Sequence, residues 1–174
     1  MLLWYFWIYS FLGYLLEKGF AKVTRAAQQG RKGFLLLPLC PVYGLGMLAV
    51  LSLPRQGIWL AVWGGFAATA VEYAVHWGYE KVLRVHFWDY SHMPGNLRGR
   101  VCLPFALLWG VLTALAVHRI QPGVEALAGR VPPVLTLFCA AVCIADGALS
   151  FAVLRQTRDP EALRCDRWRE KNAL

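Results

Sequence analysis

Residues 57–79 read GIWLAVWGGFAATAVEYAVHWGY. At 1.5 Å per residue this run is long enough to cross a hydrocarbon core of about 30 Å. Glu72 is its one acidic side chain, and it carries no Lys or Arg. A helix of this composition belongs in a bilayer. The rest of the chain agrees: 58% of the 174 residues are hydrophobic, 16% are charged, and the mean hydropathy is +0.45. Apolar runs near spanning length leave no room for a sizeable soluble domain beside them.

Working outward, four more apolar runs flank this one. Leu2 to Phe20 is aromatic, with Trp4, Tyr5, Phe6, Trp7, Tyr9, Phe11 and Tyr14, and Lys18 can snorkel from its end. No basic residue precedes it and no small-x-small site follows it, which argues against a cleaved signal peptide. Phe34 to Leu53 is interrupted early by Pro38 and Pro41, whose missing amides free backbone carbonyls. The sequence therefore predicts an all-α polytopic membrane protein: a bundle of five transmembrane helices with structured cytoplasmic loops. The spans fall at about 2–20, 34–53, 57–79, 101–117 and 131–154, forming one domain over 1–154, and a charged tail follows over 155–174.

Charge sets the expected orientation. With five spans, the N-terminus and the turns holding Arg55, Arg119 and Arg130 share one side, with 3 Lys and Arg against 15 on the other. The positive-inside bias predicts the N-terminus outside and the C-terminus in the cytoplasm of the cell's inner membrane. The net charge of +8 then reports contact with anionic headgroups rather than nucleic acid. Five cysteines without a CxxC pair read as thiols, not as a disulfide frame.

Three acids fall inside the spans: Glu17, Glu72 and Asp146. A charge in hydrocarbon costs several kcal/mol, so each should face the bundle interior, a partner or water. Thr69, Glu72, His76 and Tyr79 share one helical face, as do Cys139, Cys143, Asp146 and Ser150, and Ser10, Tyr14 and Glu17. Two readings fit. The acids, with His76, line one internal polar pathway; or they pair with Arg31, Lys32, Arg98 or Arg100 and lock the helices together. His76 and His92 lack the spacing of a metal site, and no cofactor motif occurs. Nor is there a nucleotide-binding or nucleophile motif, so an intramembrane enzyme, with Asp89 or Glu72 as its acid–base group, is a third reading. Gly64, Ala68, Gly110 and Ala114 are candidates for close helix packing.

Between the third and fourth runs lies Phe87-Trp88-Asp89-Tyr90-Ser91-His92-Met93-Pro94-Gly95-Asn96-Leu97-Arg98-Gly99-Arg100-Val101-Cys102-Leu103. Gly and Pro set its backbone, and Asp89 and Asn96 can bond neighbouring amides. Trp88-Asp89-Tyr90-Ser91, Asn96, Gly99-Arg100-Val101-Cys102-Leu103 and Trp109-Gly110 resemble one half of the signature of the CmpB family of small bacterial membrane proteins, described as "Putative ABC-transporter type IV". Gly30-Arg31-Lys32-Gly33-Phe34-Leu35 and Pro38-Leu39-Cys40-Pro41-Val42-Tyr43-Gly44 resemble the other half. Ser10, Gly13, Glu17 and Glu72 also fall where that family carries such residues. Lys32 between Arg31 and Gly33, and Leu37 before Pro38, depart from its pattern. The resemblance implies a transport protein, permease-like, with any ATPase on a separate chain. It implies a cytoplasmic motif made of Arg31, Cys40, Tyr43, Trp88, Asp89, Tyr90, Ser91, Asn96, Arg100 and Cys102. Arg31 and Arg100 are expected to turn toward the buried acids. Membrane lipid, a separate ATPase and a second copy of the chain are the expected partners; a lipid-headgroup-binding scaffold is the alternative.

Overall fold

The computed structural model describes residues 1–23, 33–54 and 57–163. Among them the chain forms five helices and no β-strand. They are α1 (Leu2–Val23), α2 (Pro41–Leu51), α3 (Gly57–Leu83), α4 (Leu103–Ala128) and α5 (Pro133–Thr157), with a short 3₁₀ turn at Pro160–Leu163. Three of these, α3, α4 and α5, are long and apolar enough to cross a membrane. α1 has the length, but Glu17, Lys18 and Lys22 crowd its last two turns.

The expected second span is corrected. Residues 34–40 are not helical, and α2 occupies Pro41–Leu51 alone. Eleven residues make a helix about 16 Å long, half the hydrocarbon depth. Proline explains the boundary. Pro38 biases Leu37 away from helix, and Pro41 sits in the first turn of α2, where its missing amide costs nothing. The expected fourth span is corrected in the other direction. α4 runs past Val117 and Arg119 to Ala128, through a wide π turn at Ala116–Ile120. Pro122 follows that turn and cannot donate to the carbonyl four residues back, so the ladder widens rather than ends. The charged tail begins as helix: Arg155 lies in the last turn of α5, and residues 164–174 lie outside the described residues.

The helices pack in chain order, α1 on α2, α2 on α3, α3 on α4. Small residues let them approach. A side chain at Gly65 would meet the Gly110 backbone at 2.9 Å, and one at Gly110 would meet the Ala61 carbonyl at 2.8 Å. With lipid outside as apolar as the core inside, such close backbone contact is what favours protein over lipid as the neighbour. Tyr5, Tyr9, Met47, Val50, Leu60 and Ala68 fill the centre. Ile58, Trp59, Val62, Trp63 and Phe66 cover the outer face of α3. α5 stands apart over most of its length and touches α1 lightly, but its last turns put Phe151, Val153 and the fully buried Leu154 into an apolar cluster with Leu83, Val85 and Leu163.

Gly110→Val places two methyl groups against the Ala61 carbonyl. It should lower stability by about 1–3 kcal/mol, the usual cost of overpacking a close contact. Thermal unfolding in mild detergent checks this; an unchanged midpoint would mean that α3 and α4 do not meet there.

Candidate functional site

The loop between α3 and α4 is knitted by its own side chains. Asp89 accepts the Ser91 amide at 2.8 Å and the Ser91 hydroxyl at 3.0 Å. The Asn96 side chain donates to the carbonyls of Ser91 and Met93, both at 3.0 Å, and accepts the Gly99 amide at 3.2 Å. Tyr90 donates its amide to the Gly99 carbonyl, and Leu97 to that of Val101. Gly99 takes φ +69°, and a side chain there would strike the Asp89 carboxylate, so glycine is needed on both counts. Asp89 and Asn96 thus bond loop backbone, as the sequence suggests.

This knot delivers three side chains to α3. The Tyr90 hydroxyl donates to Glu72 Oε1 at 3.1 Å, and its ring stacks on Phe105. Trp88 packs edge-on against His76, while its indole donates to the Arg100 carbonyl at 2.9 Å. The Arg100 guanidinium is buried and grips Glu80 with Nε at 3.0 Å and Nη2 at 2.6 Å. Its third nitrogen donates to the Tyr73 hydroxyl, also at 2.6 Å. That pairing raises the Arg100 pKa, chiefly through the hydrogen bond to Glu80. The expectation that Arg100 turns toward Glu17, Glu72 or Asp146 is corrected: its partner is Glu80, just past the expected end of the third span. Tyr73 and Glu80 are seven residues apart and share a face of the helix, which extending it to Leu83 makes visible.

Glu72 is 1% exposed. Besides Tyr90, it accepts the Trp109 indole N–H of α4 on Oε2 at 2.9 Å. Both of its oxygens therefore take hydrogen bonds from neutral donors, the arrangement that makes a buried carboxylate tolerable. The Trp109 ring stands edge-on to Tyr43 of α2 at 5.0 Å. Tyr43 in turn donates its hydroxyl to Glu17 of α1 at 2.7 Å. The result is a row, Glu17–Tyr43–Trp109–Glu72–Tyr90, drawn from four helices and the loop. Its two carboxylates are joined through two aromatic rings.

The other expected residues lie elsewhere. Asp146 accepts the amides of Leu36 and Leu37 at 3.2 and 3.1 Å. It pins the non-helical stretch before α2, and among the described residues it shares no hydrogen bond with the row. The His76 Nε2 lies 2.9 Å from the Trp88 carbonyl, so Nε2 carries the proton and holds the loop to α3. Cys40 and Cys102 are buried free thiols that start α2 and α4, each just ahead of a proline in the first turn. Arg31 lies outside the described residues. Trp109, quoted in the sequence as part of a motif, is the residue whose role spacing does not reveal; its indole has to be matched to Glu72 across two helices. Among the described residues no cluster of three metal-ligating side chains occurs.

A helical membrane protein with an internal carboxylate–aromatic row is what this fold and site define. Residues 4–152 match the model of the family described as "Putative ABC-transporter type IV", and the chain belongs to that family. The match runs well beyond Gly110, where the quoted motifs stop, and into α5. No curated protein and no solved structure matches the chain. The family makes this a transport-related membrane protein.

Trp109→Phe keeps the ring contact with Tyr43 but strips Glu72 of one donor. Losing one hydrogen bond to a buried carboxylate should cost roughly 1–3 kcal/mol. The unfolding midpoint should fall further than in Trp63→Phe, on the lipid-facing side; equal shifts would show that the indole N–H does not matter. The loop makes a separate prediction. The Ser91 amide, then its hydroxyl, holds the Asp89 carboxyl below the usual range. A depressed folded-state pKa stabilises at neutral pH, and the stabilisation is lost as pH falls through that pKa. Amide exchange at Tyr90, corrected for intrinsic rate, should lose protection in acid. In Ser91→Ala the loss should begin at higher pH; an unchanged onset would sink the assignment.

Proposed function

We propose that this chain is a permease-like subunit of a transport system in the bacterial inner membrane, with the Glu17–Glu72 row on its solute path. The observation that supports this most is Glu72 itself: an acid buried inside an apolar helix, whose hydrogen bonds include the Trp109 indole of α4 and the Tyr90 hydroxyl of the loop. A polar or cationic solute reaching Glu72 would compete with the Tyr90 hydroxyl for Oε1. Glu17 offers a second carboxylate, two aromatic rings away. In this reading the N-terminus is outside, the tail and the α3–α4 loop are cytoplasmic, and ATP hydrolysis comes from a separate chain, with a second copy of this one completing the path. The loop, rigid and stabilised by its own bonds, is the surface such an ATPase would grip.

Affinity purification of the full chain in mild detergent should recover an ATP-hydrolysing partner. Glu72→Gln should keep that partner but lower coupled ATP turnover about tenfold, equivalent to roughly 1.4 kcal/mol in the barrier. Unchanged turnover would remove Glu72 from the path. Recovery of lipid or of partners without ATPase activity would instead favour a scaffold that uses the same loop for docking.

A further inference from the structure

α1 and α4 run antiparallel and are tied at two places. Tyr9 donates to Gln121 at 2.8 Å near one end, and Phe20 meets Phe105 edge-on at 6.3 Å near the other. Between the ties a slot of about 610 Å³ opens, floored by Val42, Tyr43, Gly46 and Met47 of α2. It falls within the size range of small-molecule sites. Eleven residues of α1 separate the ties, so the slot is about 16 Å long. Gly13, Gly19 and Gly46 line it without side chains of their own.

The chemistry of the wall selects the occupant. Its polar side chains have already given their donor hydrogens to the protein: Tyr9 to Gln121, Tyr43 to Glu17, Trp109 to Glu72 and Thr113 to the Gly110 carbonyl. What remains facing the slot is leucine, valine, glycine and ring surface. Its lips, Leu15, Leu16 and Leu115, are each about half exposed, on helices whose outer faces meet lipid. A polar solute finds no partner here; a hydrocarbon chain does. At the end of the slot where α1 finishes, Lys18 and Lys22 flank Leu15 and Gly19 on the same side of the helix. Both lysines are exposed, and Lys18 lies over the Tyr14 ring at 5.7 Å. Glu17, beside Lys18 in sequence, is turned toward Tyr43.

We infer that the α1–α4 slot seats an acyl chain of an anionic bilayer phospholipid, with Lys18 and Lys22 meeting its phosphate. Apolar length and basic rim lie in the order that such a molecule presents them, and short-range attraction of lysine to anionic headgroups supplies the preference. This site is separate from the carboxylate row, which reaches it through the ring faces of Tyr43 and Trp109 alone.

Native mass spectrometry of the full chain tests this, with phosphatidylglycerol and phosphatidylcholine of identical acyl chains added to the detergent. The wild type should retain one phosphatidylglycerol per chain, preferred about tenfold, the order expected for two lysines beside an anionic headgroup. Gly19→Phe fills the slot, and a side chain at that position meets nothing within 4 Å, so the fold should survive. It should lose the bound lipid at an unchanged unfolding midpoint. Gly46→Leu, from the floor, is the second variant and should do the same. Lys18→Gln with Lys22→Gln should equalise the two lipids. Equal retention of both lipids by the wild type, or undiminished phosphatidylglycerol on both slot-filling variants, would overturn the inference. The readout involves no flux and no ATP, so its outcome is independent of the transport reading.

Discussion

A carboxylate cannot sit dry in the middle of a membrane helix without donors aimed at both of its oxygens. Glu72 imposes that requirement here, and much of the architecture answers it. α4 must lie close enough to α3 for the Trp109 indole to reach Oε2, which is the distance that the Gly65–Gly110 contact allows. The α3–α4 loop must fold back so that Tyr90 reaches Oε1, and the Asp89, Asn96 and Gly99 bonds hold it there. The same return brings Trp88 onto His76 and Arg100 onto Glu80. One buried acid thus couples a helix pair to a loop, and loosening either removes a hydrogen bond from Glu72.

The two charged clusters divide the labour. Glu80 and Arg100 form an ion pair at the loop side of α3, with Tyr73 serving the remaining guanidinium nitrogen. Such a pair locks geometry and leaves little capacity for a ligand. Glu72 and Glu17 accept hydrogen bonds from tyrosine and tryptophan, bonds that a competing cation or donor can replace.

How far the sequence carries depends on whether a signal is local. The membrane class is legible because hydropathy over a window needs no knowledge of neighbours. The loop's internal bonds are legible too, since Asp89 and Asn96 reach backbone groups two to five residues away. The length of α2 is not, because Phe34 to Leu39 is as apolar as a helix would be, and the amides of Leu36 and Leu37 are satisfied by Asp146, over a hundred residues on. The continuation of α4 through Arg119 is hidden by a charge and a proline that a π turn accommodates. The partner of Arg100 is hidden because the apolar run of the third helix stops just before Glu80, which then reads as a loop residue. Polar side chains in apolar runs identify themselves; their partners across helices do not.

The attachment of α5 carries one more consequence. It is the most apolar of the candidate spans, with 11% of its apolar window buried. Its last turns pack Phe151, Val153 and Leu154 with Leu83 and Val85, whereas ahead of them it is held by hydrogen bonds, from Trp4 to Thr136 and from the two leucine amides to Asp146. Ahead of that apolar end, α5 buries little surface against the other helices. Hydrogen bonds of this kind strengthen where the surrounding dielectric is low and weaken where water competes for the same groups. The grip on α5 ahead of that apolar end therefore tracks the dryness of its surroundings, firm in a bilayer and slack in a hydrated micelle, so that the solubilising medium selects how much of its length stays docked.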